Sequence, residues 1–110
     1  MSSQIINFVR VFTAAPGARF RTQGKFSGEA FREDFLKPAI QRGDVIVDLN
    51  GALGLPPSFL DEVFGVLLNS DPSLASHIKV RLTDDDMSVA VLKESLTRRL
   101  NKEIAEQVFE

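Results

Sequence analysis

The sequence contains no cysteine and a single histidine, His77. The lack of cysteine excludes disulfides, thiol catalysis and thiolate metal sites, and one histidine rules out a site built from several of them. The chain also lacks a G-x-S-x-G nucleophile elbow, a phosphate-binding P-loop and a spaced set of metal ligands. We therefore predict a protein that is not an enzyme and that uses no metal or cofactor.

Long hydrophobic runs are absent as well. No apolar stretch approaches the roughly 18 residues of a membrane-spanning helix. Residues 1–10 do not show the basic start and apolar stretch of a signal peptide. A net charge of -2 gives no reason to expect nucleic acid or an anionic membrane as a partner. These absences predict a cytoplasmic protein that binds neither nucleic acid nor membrane.

The composition is that of an ordinary globular protein. A chain of 110 residues is long enough for one compact domain and too short for two. The proportions of 44% hydrophobic and 25% charged residues argue against disorder. We predict a single domain over residues 1–110, while its oligomeric state stays open.

The hydrophobic periodicity predicts an α/β fold with a small mixed sheet of about four strands and three main helices. The predicted order is β-β-α-β-α-β-α, with the first two strands as a candidate hairpin. Pro38 lies inside the first helical pattern, so we expect a kink or break at residues 35–37. The predicted strands are 4–12, 18–23, 45–49 and 77–82, and the predicted helices are 28–43, 58–70 and 84–100, the last continuing towards residue 108.

The stretch 44–68 reads as strand, loop and helix, and the rest of the chain is organised around it. The run 45–49 is rich in β-branched residues and suits a central strand buried on both faces. Ser58 is predicted to be the N-cap of the following helix, with Asp61 in its first turn. Gly65 lies inside that helix, where it predicts close packing.

This stretch resembles the STAS domain and, more closely, a bacterial STAS-like family of unknown function. The segments that carry the resemblance are DLNG at 48–51 and SFLDE at 58–62. Further similar blocks are GxRFRxxG at 17–24, and SGE at 27–29 followed by FR at 31–32 and LKPA at 36–39. The resemblance as a whole covers about residues 16–100.

The resemblance implies a STAS-like fold and a regulatory domain that binds a protein partner. Partners in the wider superfamily include anti-sigma factors and serine kinases with a histidine-kinase-type ATPase fold. The head of the helix is the signalling element in that superfamily, which makes residues 50–66 the expected contact segment. The candidate contact residues are Ser58, Phe59, Asp61 and Glu62, with Ser58 also a candidate phosphoacceptor.

One position departs from the pattern of the anti-sigma-factor antagonists. Aligned on Asp48, Pro56 and Pro57 stand where the aspartate and the phosphorylated serine are expected, and Ser58 falls on the second serine. Phosphorylation at the usual place is therefore excluded. The alternative role for Ser58 is that of a simple helix cap.

A second hypothesis is a small anion- or nucleotide-binding domain. Arginine side chains beside a helix start suit a phosphate or carboxylate. The alternative is that these arginines pair with Glu29, Glu33 and Asp34 on a solvated face. The candidate anion-binding residues are Arg19, Arg21, Ser27, Gly28 and Arg32.

Two further features have simple structural interpretations. The run Asp84–Asp86 lacks the spaced oxygen ligands of a calcium loop, so we interpret it as a charge-compensated helix start behind Thr83 as N-cap. We interpret His77 as a residue at the edge of a strand and not as a catalytic base.

Overall fold

The computed structural model describes residues 4–110 of the chain. Three parallel strands form one sheet in the order β1-β2-β3. β1 is Gln4–Asn7, β2 is Val45–Asp48 and β3 is Ile78–Arg81. The apolar run of the sequence is therefore the central strand, as predicted.

Five helices accompany these strands within residues 4–110. Parallel neighbours need a crossover connection, and α2 supplies it between β1 and β2 while α3 supplies it between β2 and β3. Short 3₁₀ turns at Arg21–Gln23 and Pro72–Ser76 lie in the connections. The helices are α1 (Phe8–Val11), α2 (28–42), α3 (57–70), α4 (Asp86–Arg99) and α5 (Lys102–Val108).

The helices cover only one face of the sheet. On that face Val45, Val47 and Val80 are no more than 1% exposed. On the other face Ile5 is 57% exposed, and Ile46 is only half-buried. The prediction that the central strand is buried on both faces is wrong, because Ile46 and its neighbour Lys79 of β3 are only half-buried on this second face.

The two edges of the sheet differ. Phe109 forms an isolated parallel bridge to Val80 of β3, and the N–H of Glu110 donates to the Val80 carbonyl at 3.1 Å. No strand within residues 4–110 pairs with the outer edge of β1. The sheet is therefore extended on the β3 side and bare on the β1 side.

Phenylalanines fill the core between the sheet and the helices. Phe8 is fully buried just after β1. Its ring packs edge-on against Phe31 of α2, with ring centroids 4.9 Å apart, and against Phe59 of α3, with ring centroids 5.6 Å apart. These contacts join the first strand to both crossover helices, so the core sets where α3 begins.

The structure corrects the prediction of a mixed sheet of about four strands, because the sheet has three strands within residues 4–110 and both pairings are parallel. Residues 18–23, expected to form the second strand, instead form an irregular segment that ends in the 3₁₀ turn Arg21–Gln23. The first strand is also shorter than predicted, because Asn7 caps α1 by accepting a hydrogen bond from the N–H of Arg10. That turn carries Phe8 into the core. The alternation of apolar and polar residues could not distinguish a short strand followed by a helical turn from one longer strand.

The long crossover helices each contain a π turn, Arg32–Leu36 in α2 and Asp61–Gly65 in α3. In α2 the N–H of Lys37 donates to the Arg32 carbonyl, five residues back. Pro38, which has no N–H, follows directly after this change from i→i+4 to i→i+5 hydrogen bonds. The predicted break is therefore a widened turn, and the helix continues to residue 42.

The last predicted helix is two helices. α4 ends at Arg99, and the side chain of Asn101 accepts from the N–H of Ile104 to start α5. The start of α4 also differs from the prediction, because its N-cap is Asp85 and not Thr83. Ser27, named above as an anion-binding candidate, is the N-cap of α2, and Asp71 is the N-cap of the second 3₁₀ turn.

Candidate functional site

The loop after β2 is fastened to the loop after β3. The side-chain oxygen of Asn50 accepts from the backbone N–H groups of Thr83 at 2.8 Å and Asp84 at 3.2 Å. In return the carboxylate of Asp84 accepts from the N–H of Gly51 at 2.9 Å. Gly51 has a φ of +92°, a conformation that favours glycine. We call these four residues the loop clasp.

The tip of the same loop presents a leucine to solvent. The side chain of Leu53 is 83% exposed, whereas Leu55 two residues later is 8% exposed and packs in the core. The backbone at the tip is held in place, since the N–H of Leu53 donates to the Ala14 carbonyl at 2.7 Å. The chain thus fixes an apolar side chain in an outward position.

Ser58 lies just past this loop, and it is not the helix cap that the sequence predicted. The cap position of α3 belongs to Pro56, and Pro57 is the first helical residue. Ser58 is exposed, and within residues 4–110 its hydroxyl makes no recorded capping bond. It lines an open cleft of about 480 Å³ between the start of α3 and one side of α4. Arg19, Arg98 and Arg99 line the cleft with it.

Asp61 forms the centre of an ion-pair network next to this cleft. Arg99 of α4 donates twice to its carboxylate, from Nε at 2.7 Å and from Nη2 at 2.8 Å. Arg19 adds a bond at 2.9 Å, and the hydroxyl of Ser95 adds one at 2.8 Å. These donors, Arg99 first among them, hold the pKa of Asp61 well below its ordinary value of 3.8. Asp61 is therefore ionised at neutral pH.

Glu62 extends the network towards α2. It is 5% exposed, and its carboxylate accepts from Arg19 at 3.1 Å and from Arg32. Arg32 also donates to the Glu62 carbonyl at 2.8 Å. A Cβ on Gly28 would lie 2.9 Å from the Phe59 carbonyl oxygen, so that glycine lets α2 and α3 approach closely at this point.

The two candidate sites of the sequence therefore meet in one network. Arg19 and Arg32 of the proposed anion site bind Asp61 and Glu62 of the proposed contact surface. Phe59 is 1% exposed and lies in the core. Ser58 is the one residue of the four contact candidates with an exposed side chain.

The remaining anion candidates are engaged by the protein itself. The first N–H groups of α2, those of Gly28 and Glu29, donate to the carbonyls of Ala18 and Arg19. Buried Ser27 accepts from the N–H of Ala30 at 3.0 Å. Arg21 lies apart from Arg19 in a bidentate pair with Asp34. The first backbone N–H groups of α2 are therefore already bonded to the preceding loop.

Sequence reasoning missed the contributions of α4 and of the loop tip. Ser95 and Arg99 occur among ordinary helical residues, and only the fold brings them to Asp61. Leu53 could have been identified from the sequence. A large apolar residue in a loop rich in glycine and proline is exposed to water at a cost, which suggests a role in contacts with another molecule.

The other polar features have structural roles. Asp85 caps α4 by accepting from the N–H of Ser88 at 3.0 Å, and Asp86 lies in the first turn. His77 follows the second 3₁₀ turn, and its Nδ1 lies 2.7 Å from the carboxylate of Asp44. Across residues 4–110 no three acidic or histidine side chains converge as a metal site would require. Over the same residues, no helix has the length and apolar character needed to cross a bilayer.

Three parallel strands, two crossover helices and an exposed serine in the first turn of α3 define a small α/β protein. Comparison with protein families matches residues 27–88 to the STAS-like domain of unknown function (DUF4325). The match covers more than half of the chain, so the chain belongs to this family. It contains α2, β2, α3, β3 and the loop clasp, while the GxRFRxxG block at 17–24 lies before it. No curated protein and no solved structure matched the chain.

Proposed function

We propose that this chain is a non-enzymatic regulatory domain that binds a protein partner through residues 50–66, in cytoplasmic bacterial signalling. The observation that carries the proposal is Leu53, an 83% exposed leucine on a loop whose backbone is hydrogen-bonded at Gly51 and at Leu53 itself. An exposed apolar side chain on fixed backbone suits an interface, since little conformational entropy is lost when a partner covers it.

The surface around Leu53 supports the same proposal. Ser58 and Pro57 lie at the start of α3, and Val91 of α4 lines the same cleft. Arginines at the other end of the cleft provide positive charge. The contact surface therefore combines an apolar tip with a polar, basic recess, a mixture suited to recognition of a protein.

The STAS-like family suggests the class of partner. We propose a kinase-type ATPase or an anti-sigma-type regulator, because these are the partners of the wider superfamily. Ser58 would serve as a partner contact and as a phosphoacceptor. A phosphate there would lie in the first turn of α3, beside Arg19 and Arg98, where both the helix dipole and the guanidinium groups favour negative charge.

A pull-down from lysate of the native host tests the proposal. Wild-type chain and Leu53→Glu serve as baits, bound proteins are identified by mass spectrometry, and the bait is analysed for phosphate. We expect wild type to enrich an ATPase-type kinase or a sigma regulator, and Leu53→Glu to lose at least about tenfold of that enrichment, because an unpaired carboxylate would be buried in the interface.

The matched control is Phe20→Glu, which introduces the same charge at another exposed apolar side chain outside residues 50–66. It should capture the same partner as wild type. Equal capture by Leu53→Glu and wild type, with both baits folded, would remove residues 50–66 as the contact surface. Phosphate found only at other residues would leave Ser58 as a contact alone.

A further inference from the structure

We propose a second docking surface on the other side of the molecule, a groove that accepts an acidic amphipathic helix from a partner. The groove runs along α2, between that helix and the segment formed by β1 and α1. Two adjoining depressions of about 470 and 290 Å³ make it up, and they share Val11, Asp34 and Phe35.

The groove is lined by apolar side chains that the fold leaves uncovered. Ile5 is 57% exposed, Val11 49% and Phe26 36%, and all three line it. Partly buried Phe35 lies where the two depressions meet. Half of the six large apolar side chains that are exposed within residues 4–110 thus belong to one concave strip.

The charges of the groove select the occupant. Arg21 and Asp34 neutralise one another by their bidentate pair near the middle. Lys25 lines one end, with its ammonium 5.3 Å from the Phe26 ring centroid. Arg42 lines the other end, where it donates to the side chain of Gln4 at 3.3 Å. Neither Lys25 nor Arg42 has a recorded ion pair within residues 4–110, so each end of the groove carries a positive charge.

The spacing of the two cations fits a helix. Lys25 precedes α2 and Arg42 ends it, and the 15 residues of α2 span about 22 Å. A partner helix of about four turns would therefore place one carboxylate at each end, with apolar anchors at i, i+3 or i+4, and i+7 between them. A flat apolar surface would suit a lipid bilayer, whereas a concave strip with charged ends suits a helix.

Two synthetic 18-residue peptides test the assignment. Both carry the same leucine and phenylalanine stripe; one has glutamate near each end, and the other has lysine at those positions. Binding is followed by NMR chemical-shift perturbation of the full chain. We expect the acidic peptide to shift the resonances of Ile5, Val11 and Phe35, and to bind about tenfold more tightly than the basic peptide.

Three variants sharpen the test. Val11→Glu should weaken the acidic peptide at least about tenfold by placing a charge in the apolar strip. The double charge reversal Lys25→Glu and Arg42→Glu should invert the preference in favour of the basic peptide. Leu53→Glu should bind like wild type, because the loop tip belongs to the first surface. This control keeps the two surfaces separable whichever of them fails.

Several outcomes would overturn the inference. Equal binding of the two peptides, or no binding at millimolar concentration, would show that the charged ends select nothing. Shifts confined to Leu53 and Ser58 would place the peptides on the other surface. Concentration-dependent shifts of the groove without peptide, with a dimer in sedimentation, would make a second copy of the chain the occupant.

Discussion

Gly65 shows how much a single missing side chain decides in this molecule. Its φ of -62° is ordinary for a helix, so the chain does not need glycine for its backbone angles. A Cβ at this position would lie 2.6 Å from Oδ1 of Asp61 and 3.0 Å from Nε of Arg99. Gly65 therefore gives room to an ion pair lying across the helix surface. The close packing predicted from the sequence is present, but against charged side chains.

We expect Gly65→Ala to change the sign of its effect with the identity of residue 61. Alanine gains up to about 1 kcal/mol of helix propensity over glycine. In the wild-type background the methyl group displaces Asp61 from Arg99 and costs about 1 to 3 kcal/mol, because charge-assisted hydrogen bonds are lost. The net result is destabilisation.

In an Asp61→Ala background the same substitution should stabilise the protein, since the carboxylate oxygen is gone and the side chain of Arg99, no longer held by it, can move away from the methyl group. Urea unfolding of the four proteins of this double-mutant cycle measures both effects. If Gly65→Ala has the same sign in both backgrounds, the ion pair is not the reason for glycine at this position.

At the scale of elements, the loop clasp holds the carboxyl ends of β2 and β3 together. Asn50 uses one oxygen to accept from two backbone N–H groups of the neighbouring loop. The contact fixes the loop that carries Leu53 to the start of α4. Its removal would therefore affect both stability and the proposed partner surface.

We expect Asn50→Ala to lower the free energy of unfolding by about 1 to 2 kcal/mol, because two backbone donors lose their acceptor. Asn69→Ala is the matched control: Asn69 is exposed near the end of α3, and this change should stay within about 0.5 kcal/mol. Thermal and urea unfolding measure both. Equal stability of Asn50→Ala and its control would show that water replaces the clasp at no cost.

The elements themselves were largely predictable where a local signal existed. The central strand, the cap at Ser27 and the start of the second 3₁₀ turn at Asp71-Pro72 follow from hydrophobic runs and cap residues close in sequence. Residues 18–23 alternate like a strand, yet their backbone carbonyls are needed by the start of α2, which the sequence does not reveal. In the same way Ser58 looked like a cap, although Pro56 takes that position.

At the scale of the whole molecule, Asp61 ties three distant segments together. It binds Arg19 before α2, and both Ser95 and Arg99 on α4, residues separated from it by 34 to 42 positions. No local pattern could predict these partners, because each pairing depends on the crossover topology. The sequence thus singled out Asp61 as a candidate, but it did not reveal which side chains Asp61 binds.

We expect the stability contributed by Asp61 to disappear in acid. Its pKa is lowered in the folded state, so its contribution is complete above the ordinary pKa of 3.8 and is lost as the pH falls below that value towards the folded-state pKa. Asp61→Asn should therefore cost about 2 to 3 kcal/mol at pH 7 and progressively less below pH 4.

Urea unfolding of wild type and Asp61→Asn from pH 7 down to pH 3 gives the difference directly. Asp34→Asn is the comparison, because Asp34 also pairs with an arginine but is half exposed, so solvent screens its pair and the loss of stability should be much smaller than for Asp61→Asn. A difference for Asp61→Asn that does not vary with pH would mean that its carboxylate charge contributes nothing.

The difference between the two edges of the sheet affects how often its backbone hydrogen bonds open. β2 has a strand on each side, and β3 is backed by Phe109, whereas β1 has only β2 within residues 4–110. Backbone amides exchange with solvent only when their hydrogen bonds open. Amide protons of β2 that donate towards β3, such as that of Val45 to the His77 carbonyl, should therefore exchange slowly, while the tail at 109–110, held by an isolated bridge, should detach and return many times in the same interval.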